Sequence, residues 1–206
     1  MKLTVRPLTP ERWADWEAVF GAPGCSVARG CACMYYRLSG SPPATPKGAT
    51  RAEVNRRSFK ALVDGGAFTG LIGYRGDEPV GWVSLGPREH FAKLARSPVM
   101  KPVDGARVWS IVCFVVPSAY RGQGVARALL DGAIEHARRR GATLLEGYPV
   151  DRAERSRDDG MWFGAKSMFD AAGFEEVARR TPDRPVMRLR PAKSRARGGG
   201  EEKENG

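Results

Sequence analysis

The sequence predicts a single α/β domain built on a mixed central sheet. Three observations carry this expectation. Seven short β-rich segments are spread along the chain, and four stretches of helical spacing interrupt them. A nearly continuous apolar run at 108–116 marks a strand buried on both faces. A helix and a further strand follow it at once, whereas the other strands pair as hairpins, so parallel and antiparallel neighbours share one sheet.

Residues 2–8, "KLTVRPL", alternate and are rich in β-branched types, so the spacing predicts a strand. A helix follows over 9–21, with Thr9 as N-cap, Pro10 at the first helical position and Gly21 as the stop. Trp13 and Trp16, three apart on it, are expected in the core. Residues 22–49 read as irregular, with "CACMYYR" in their middle. The next helix opens on Thr50 and Glu53, a capping box. "AFTGLIGY" and "PVGWVSLG" read as a hairpin joined through "RGDE". A connector leads to the buried strand "VWSIVCFVV". Val125, Leu129, Leu130, Ala133, Ile134 and Ala137 then fall at helical spacing, and Gly141 ends that helix. "TLLEGYPV" is a strand, "MWFGAKSMFDAAGF" a short helix, and "EEVARRT" with "PVMRLRP" a last hairpin. The domain is expected over 1–191, with a disordered polar tail over 192–206.

Charge narrows the partner. The formal net charge is +11, and the tail, with four basic and three acidic residues, supplies only +1 of it. The body is therefore basic and calls for an anionic partner: nucleic acid, a membrane surface or a phosphorylated cofactor. No run approaches the roughly 18 apolar residues of a membrane span, and the first thirty residues hold no signal-like apolar segment. Four cysteines are too few for a disulfide framework. The expectation is a cytoplasmic protein with reduced thiols and no membrane partner.

The stretch "YRGQGVA" joins the buried strand to its helix. A helix N-terminus offers unpaired N–H groups and a positive dipole end, which suits phosphate. Glycines there let the backbone approach phosphate oxygens without a Cβ in the way. A ligand-free turn would use the same residues. The chain has no G-x-x-x-x-G-K-[ST], and Arg127 stands where a dinucleotide fingerprint needs its third glycine.

Arg121, Gly124 and Ala126 make R-x-x-G-x-A, which resembles the [QR]-x-x-G-x-[GA] signature of the GNAT superfamily of acyl-CoA-dependent N-acetyltransferases. The element order, the strand before the signature and "AAGF" after the last helix extend the resemblance over about 3–190. It implies a GNAT-like fold whose central sheet splays between the strand ending near Val116 and "TLLEGY". Acetyl-CoA would be the cosubstrate, lying in the gap. Backbone groups of Cys113, Phe114, Val115 and Val116 would pair with its pantetheine arm. The N–H groups of Gly122, Gln123, Gly124, Val125 and Ala126 would hold its pyrophosphate, with the Arg121 charge nearby. Pro117 lies four residues before Arg121, where relatives often have three, which implies an extra turn residue there.

Acetyl transfer to an amine needs a neutral amine, a donor for the oxyanion and a proton for the departing thiolate. Many relatives take the proton from a tyrosine four residues before the glycine of "GF". Here Phe169 holds that position, and Trp162 replaces an asparagine common seven residues earlier. Tyr148 is the substitute acid, Glu146 on the same strand face a candidate base, and Glu89 of "GPREH" another. Each has a structural reading beside it: a packing tyrosine, a salt-bridged carboxylate, a solvated loop residue. Cys113 reads as a core thiol.

Cys25, Cys31 and Cys33 lie within nine residues, but C-x-C is too tight for the usual zinc spacing, and no metal is expected. Cys33, Tyr35 and Tyr36 are instead candidates for shaping the acceptor pocket, because the family commonly covers the substrate with this region. The paired cysteine with "PVGWVS" and "GPRE" resembles a bacterial subgroup of the superfamily. The expected function is acetyl transfer from acetyl-CoA to a small-molecule amine by direct attack. The alternative is a non-catalytic acyl-CoA-binding or nucleic-acid-binding module of the same fold. Nucleic acid is not the expected partner, and a homodimer is left open.

Overall fold

The computed structural model describes residues 3–39, 44–152 and 162–192. One seven-stranded sheet runs through them in the order β1-β2-β3-β4-β5-β7-β6. Its strands are β1 Leu3–Pro7, β2 Gly70–Arg75, β3 Glu78–Pro87, β4 Trp109–Val115, β5 Leu145–Gly147, β6 Glu175–Thr181 and β7 Arg184–Leu189. All neighbours are antiparallel except β4 and β5, which are parallel. The crossover between those two is helix α4, Val125–Arg139, whose buried Val125, Leu129, Leu130, Ala133 and Ala137 lie on one face. They pack with Leu71, Val83, Leu85, Ile111 and Phe114 from one side of the sheet.

Helices α1 (Trp13–Gly21), α2 (Ser26–Cys31) and α3 (Arg51–Asp64) cover the other side. Trp13 and Trp16 stack at 4.7 Å and Trp16 stacks on Phe59 at 5.0 Å, as the spacing on α1 predicts for core residues. The capping box at the start of α3 is formed: Thr50 Oγ1 accepts the Glu53 N–H at 3.2 Å, and the Glu53 carboxylate accepts the Thr50 N–H at 2.7 Å. Helix α2 lies inside the segment expected to be irregular. It is only six residues long, and its C-cap Ala32 is left-handed at φ 45°. Six residues hold too few periodic positions to show in the sequence.

Two more elements differ from expectation. Strand β5 is three residues long instead of eight, because the chain leaves the ladder after Gly147. Helix α5 is only Lys166–Asp170. The expected tail, from residue 193 on, lies outside the described residues, as does the start of the expected helix at Met161. No helix among the described residues is long and apolar enough to cross a membrane.

Candidate functional site

The parallel pairing of β4 and β5 stops at Ile111 and Gly147. Beyond that point β4 continues along β3 to Val115, whereas β5 has ended, so the sheet splits. By alternation Phe114 turns its backbone into the split, and its N–H donates to the Trp162 carbonyl at 2.6 Å. The side chains of Phe114 and Val115 are core groups, so only their backbone is offered there.

Below the split the chain turns through a short 3-10 segment, Ser118–Tyr120. Gly122 and Gly124 have φ of +72° and +79°. A Cβ at either would meet nothing within 4 Å. Left-handed backbone, and not crowding by protein atoms, is therefore what demands glycine. The space above them is open, at the mouth of α4, where the first N–H groups have no partner one turn back. Arg121 turns the other way. Its Nε donates to the Val116 carbonyl at 2.9 Å and its Nη2 to the Gly24 carbonyl at 2.7 Å, which ties the turn to the segment before α2. Gln123 is also held locally, donating to the Ala119 carbonyl at 2.7 Å and accepting from Arg75 at 2.7 Å.

A cavity of about 330 Å³ is lined by Tyr35, Tyr36, Lys93, Arg96, Ser97, Pro98 and Met100. Lys93 Nζ lies 3.8 Å from the centre of the Tyr35 ring. Tyr35 is exposed, and burial pushes the Tyr36 phenol above its ordinary range. No carboxylate among the described residues pairs with Lys93 or Arg96. Cys33 does not line the cavity; its sulfur turns inward to Trp82.

Glu146 in β5 and Tyr148, the residue just after the strand, turn to the same side, as alternation predicts, and both are fully buried. Glu146 Oε1 accepts from Arg88 Nη1 and from the Tyr148 hydroxyl at 2.8 Å. Its Oε2 accepts from Arg188 Nε at 2.8 Å. Arg188 reaches on to both oxygens of Asp104, at 2.7 and 3.0 Å, and these bonds hold the Asp104 carboxyl down at about 2. The Tyr148 hydroxyl also meets Arg88 Nη1 and Ser110 Oγ, each at 2.9 Å. Burial first, then the Glu146 charge, pushes the Tyr148 phenol well above its ordinary range. The Tyr148 ring clusters with Met100, Val112 and Phe91, with Tyr36 packed against them, so this network stands behind the cavity wall. Glu89 is exposed in the 3-10 turn Arg88–His90 and takes no part in it.

The Acetyltransferase (GNAT) family model matches residues 35–155, which include the split, the glycine turn and β5. The chain belongs to this family. Among solved structures, a GNAT-family protein from Desulfovibrio desulfuricans superposes with a TM-score of 0.52 at 17% identity, covering 93% of this chain and 100% of that one. The yncA protein of Salmonella typhimurium, solved with its cofactor acetyl-CoA, gives 0.51 at 16% identity, covering 94% and 96%. A ribosomal-protein-alanine N-acetyltransferase from Brucella melitensis gives 0.51 at 20% identity, covering 91% and 99%. These likenesses concern the fold. No curated protein matches the sequence.

Within this GNAT domain the Phe169 position is a core plug. The ring is fully buried, edge-on to Phe114 at 6.3 Å and Phe174 at 5.0 Å. It lies so close to Gly147 that a Cβ there would come within 2.2 Å of it. Sequence reasoning missed Arg88, Arg188, Ser110 and Asp104. Arg88 stands next to the exposed Glu89, and nothing in "GPREH" says which of the two charges turns inward. Lys93 and Arg96 were missed for the same reason: a charge in a loop reads as solvated until its neighbours are known.

Proposed function

We propose that this chain transfers an acetyl group from acetyl-CoA to the amine of a small molecule. The observation that carries the reading is the pair of left-handed glycines under open space at the N-terminus of α4, beside the split between β4 and β5. A Cβ would occupy that space, so the turn suits a ligand that comes close to backbone. The N–H groups of Gly122, Gln123, Gly124, Val125 and Ala126 would hold a pyrophosphate there. The backbone of β4 from Cys113 to Val116 would take the pantetheine arm as an added strand, with the Phe114 N–H exchanging the Trp162 carbonyl for a cofactor carbonyl. Arg121 serves this cradle by bracing the turn.

Catalysis rests on positioning and on backbone N–H donors at the split. Tyr148 and Glu146 form the buried frame of the site. Both oxygens of Glu146 are occupied by arginine, and the Tyr148 proton is committed to Glu146. The proton of the departing thiolate then travels by water, and the amine enters neutral. The cavity beside Tyr35 and Tyr36, with Lys93 and Arg96 at its wall, favours an acceptor that carries a carboxylate or phosphate next to an aromatic or flat body. Polyamines would be repelled. Residues 1–191 constitute the transferase domain in this reading.

Thiol release from acetyl-CoA across a panel of anionic, neutral and polycationic amines tests this, alongside CoA binding by calorimetry. Turnover concentrated in the anionic members is expected. Tight CoA binding without turnover on any amine would favour a non-catalytic acyl-CoA-binding module, and no CoA binding would overturn the cradle itself.

A further inference from the structure

Past Gly147 the two sides of the split are bridged by a third piece of chain, residues 162–165. On one side the Phe114 N–H of β4 donates to the Trp162 carbonyl at 2.6 Å. On the other, the Val150 N–H donates to the Gly164 carbonyl and the Lys166 N–H to the Val150 carbonyl, both at 2.9 Å, and Val150 pairs in parallel with Ala165. The Asp151 N–H is taken in turn by the Asp183 carbonyl at 2.9 Å. Residues 162–165 therefore sit as a short extra strand in the gap, bonded on both edges.

The two ends of this piece are held differently. Ala165 leads straight into α5. Gly164 before it is left-handed at φ +76°, and a Cβ there would come within 2.6 Å of Met168, 3.3 Å of Phe169 and 3.4 Å of Phe114. That end is fixed to α5 and to Val150, and only glycine fits the turn. At the other end one backbone hydrogen bond, among the described residues, reaches β4. The rest of the hold is side-chain packing. Trp162 is partly buried against the cluster that contains Trp82 and Val115. Phe163 is partly buried against the cluster that contains Met100 and Tyr148. The Phe163 ring meets Tyr36 edge-on at 5.9 Å, and the Arg184 guanidinium lies 4.1 Å from its centre. Tyr36 lines the cavity. One short segment thus touches the edge of β4 with its backbone and the cavity wall with a side chain.

A backbone N–H has a single hydrogen to give. The Trp162 carbonyl and a ligand laid along β4 as an added strand therefore compete for the Phe114 N–H. We propose that Trp162 and Phe163 form a latch across the pantetheine slot, hinged at Gly164, which the cofactor opens. This rests on the reading of the split as the acetyl-CoA site, and adds that donor site and acceptor cavity are coupled. When the Phe114 N–H passes to the cofactor, the Trp162 carbonyl leaves β4. Phe163 moves with it, and Tyr36 loses its edge contact. Cofactor binding thereby reshapes the cavity wall. Linkage makes the effect reciprocal: whatever holds Phe163 against Tyr36 weakens cofactor binding by the same factor. Loosening the latch raises the fraction of molecules with an open slot, and with it the apparent affinity.

Two measurements on the full chain test the latch. Calorimetry with CoA should give Trp162→Ala an affinity about fivefold or more above that of the parent. In the parent, a nuclear Overhauser contact between the Phe163 and Tyr36 rings should be present without CoA and lost when CoA saturates. Persistence of that contact in the CoA-bound parent, or an equal or weaker affinity in folded Trp162→Ala, would overturn the latch and leave the cofactor site standing. The parent's ring contact decides the matter where the variant fails to fold. Binding by Trp162→Ala with none by the parent would support a latch that is closed in nearly every molecule. Binding by neither would remove the cofactor site, and the latch with it.

Discussion

Replacing Glu146 with glutamine separates a structural carboxylate from a reactive one. The side chain is 0% exposed and accepts from Arg88, from Tyr148 at 2.8 Å and from Arg188 at 2.8 Å. Glutamine keeps the shape but removes the charge, and its NH₂ must face a donor. Two inward arginines then lose their shared counter-ion, and only Arg188 keeps another, Asp104. Removing one partner of a buried pair costs about 3–5 kcal/mol, a large part of the roughly 5–15 kcal/mol that holds a domain together. Urea unfolding near neutral pH should show a much lower midpoint with an unchanged slope. Turnover per folded molecule should stay near that of the parent. Glu146→Gln combined with Arg88→Met should cost less than the sum of the two alone. A variant within about 1 kcal/mol of the parent that has lost turnover would refute the reasoning and make Glu146 the base.

Three further outcomes are expected. Gly124→Val places a β-branched residue at φ +79°; the left-handed backbone costs about 1–2 kcal/mol, so thermal melting should drop by a few degrees while CoA affinity, by calorimetry, falls about tenfold or more as cradle contacts are lost. Unchanged affinity would remove the pyrophosphate from this turn. Lys93→Ala or Arg96→Ala should raise KM for an anionic acceptor by roughly fivefold, the equivalent of a partly solvated charge pair near 1 kcal/mol, with kcat nearly constant and the effect shrinking in salt. His136 is held down at about 4 by burial, then by Arg139 and Arg140, and its ring stacks on Phe68 at 4.4 Å. The unfolded chain takes up this proton first, so stability is full above about pH 6.5 and is lost as pH falls toward 4. Discounted for partial exposure, the loss is about 1–2 kcal/mol. His136→Phe should flatten that part of the melting profile, and an equal slope in both proteins would count against the assignment.

The sequence by itself determined the parts of this protein that depend on neighbours along the chain. The glycine turn is one strand, one turn and one helix in succession, so Gly122 and Gly124 could be read from spacing and punctuation alone. The capped start of α3 and the tryptophan face of α1 are local in the same sense, and so is the shared face of Glu146 and Tyr148. The missing phenol at Phe169 was equally plain. Only the tertiary structure decided what surrounds these groups. Arg88 reaches Glu146 across 58 residues, Arg188 across 42, and Arg188 reaches Asp104 across 84. No local pattern records which arginine turns inward at such separations, because a charged side chain is stable in water or against a buried partner alike, and only the packed neighbours choose. The same holds for Cys33. Its sequence neighbours suggested a pocket wall, whereas its sulfur turns inward to the Trp82 indole of β3. Strand β5 ends early because the sheet splits there, and a split is a relation between strands that neither strand's own residues encode.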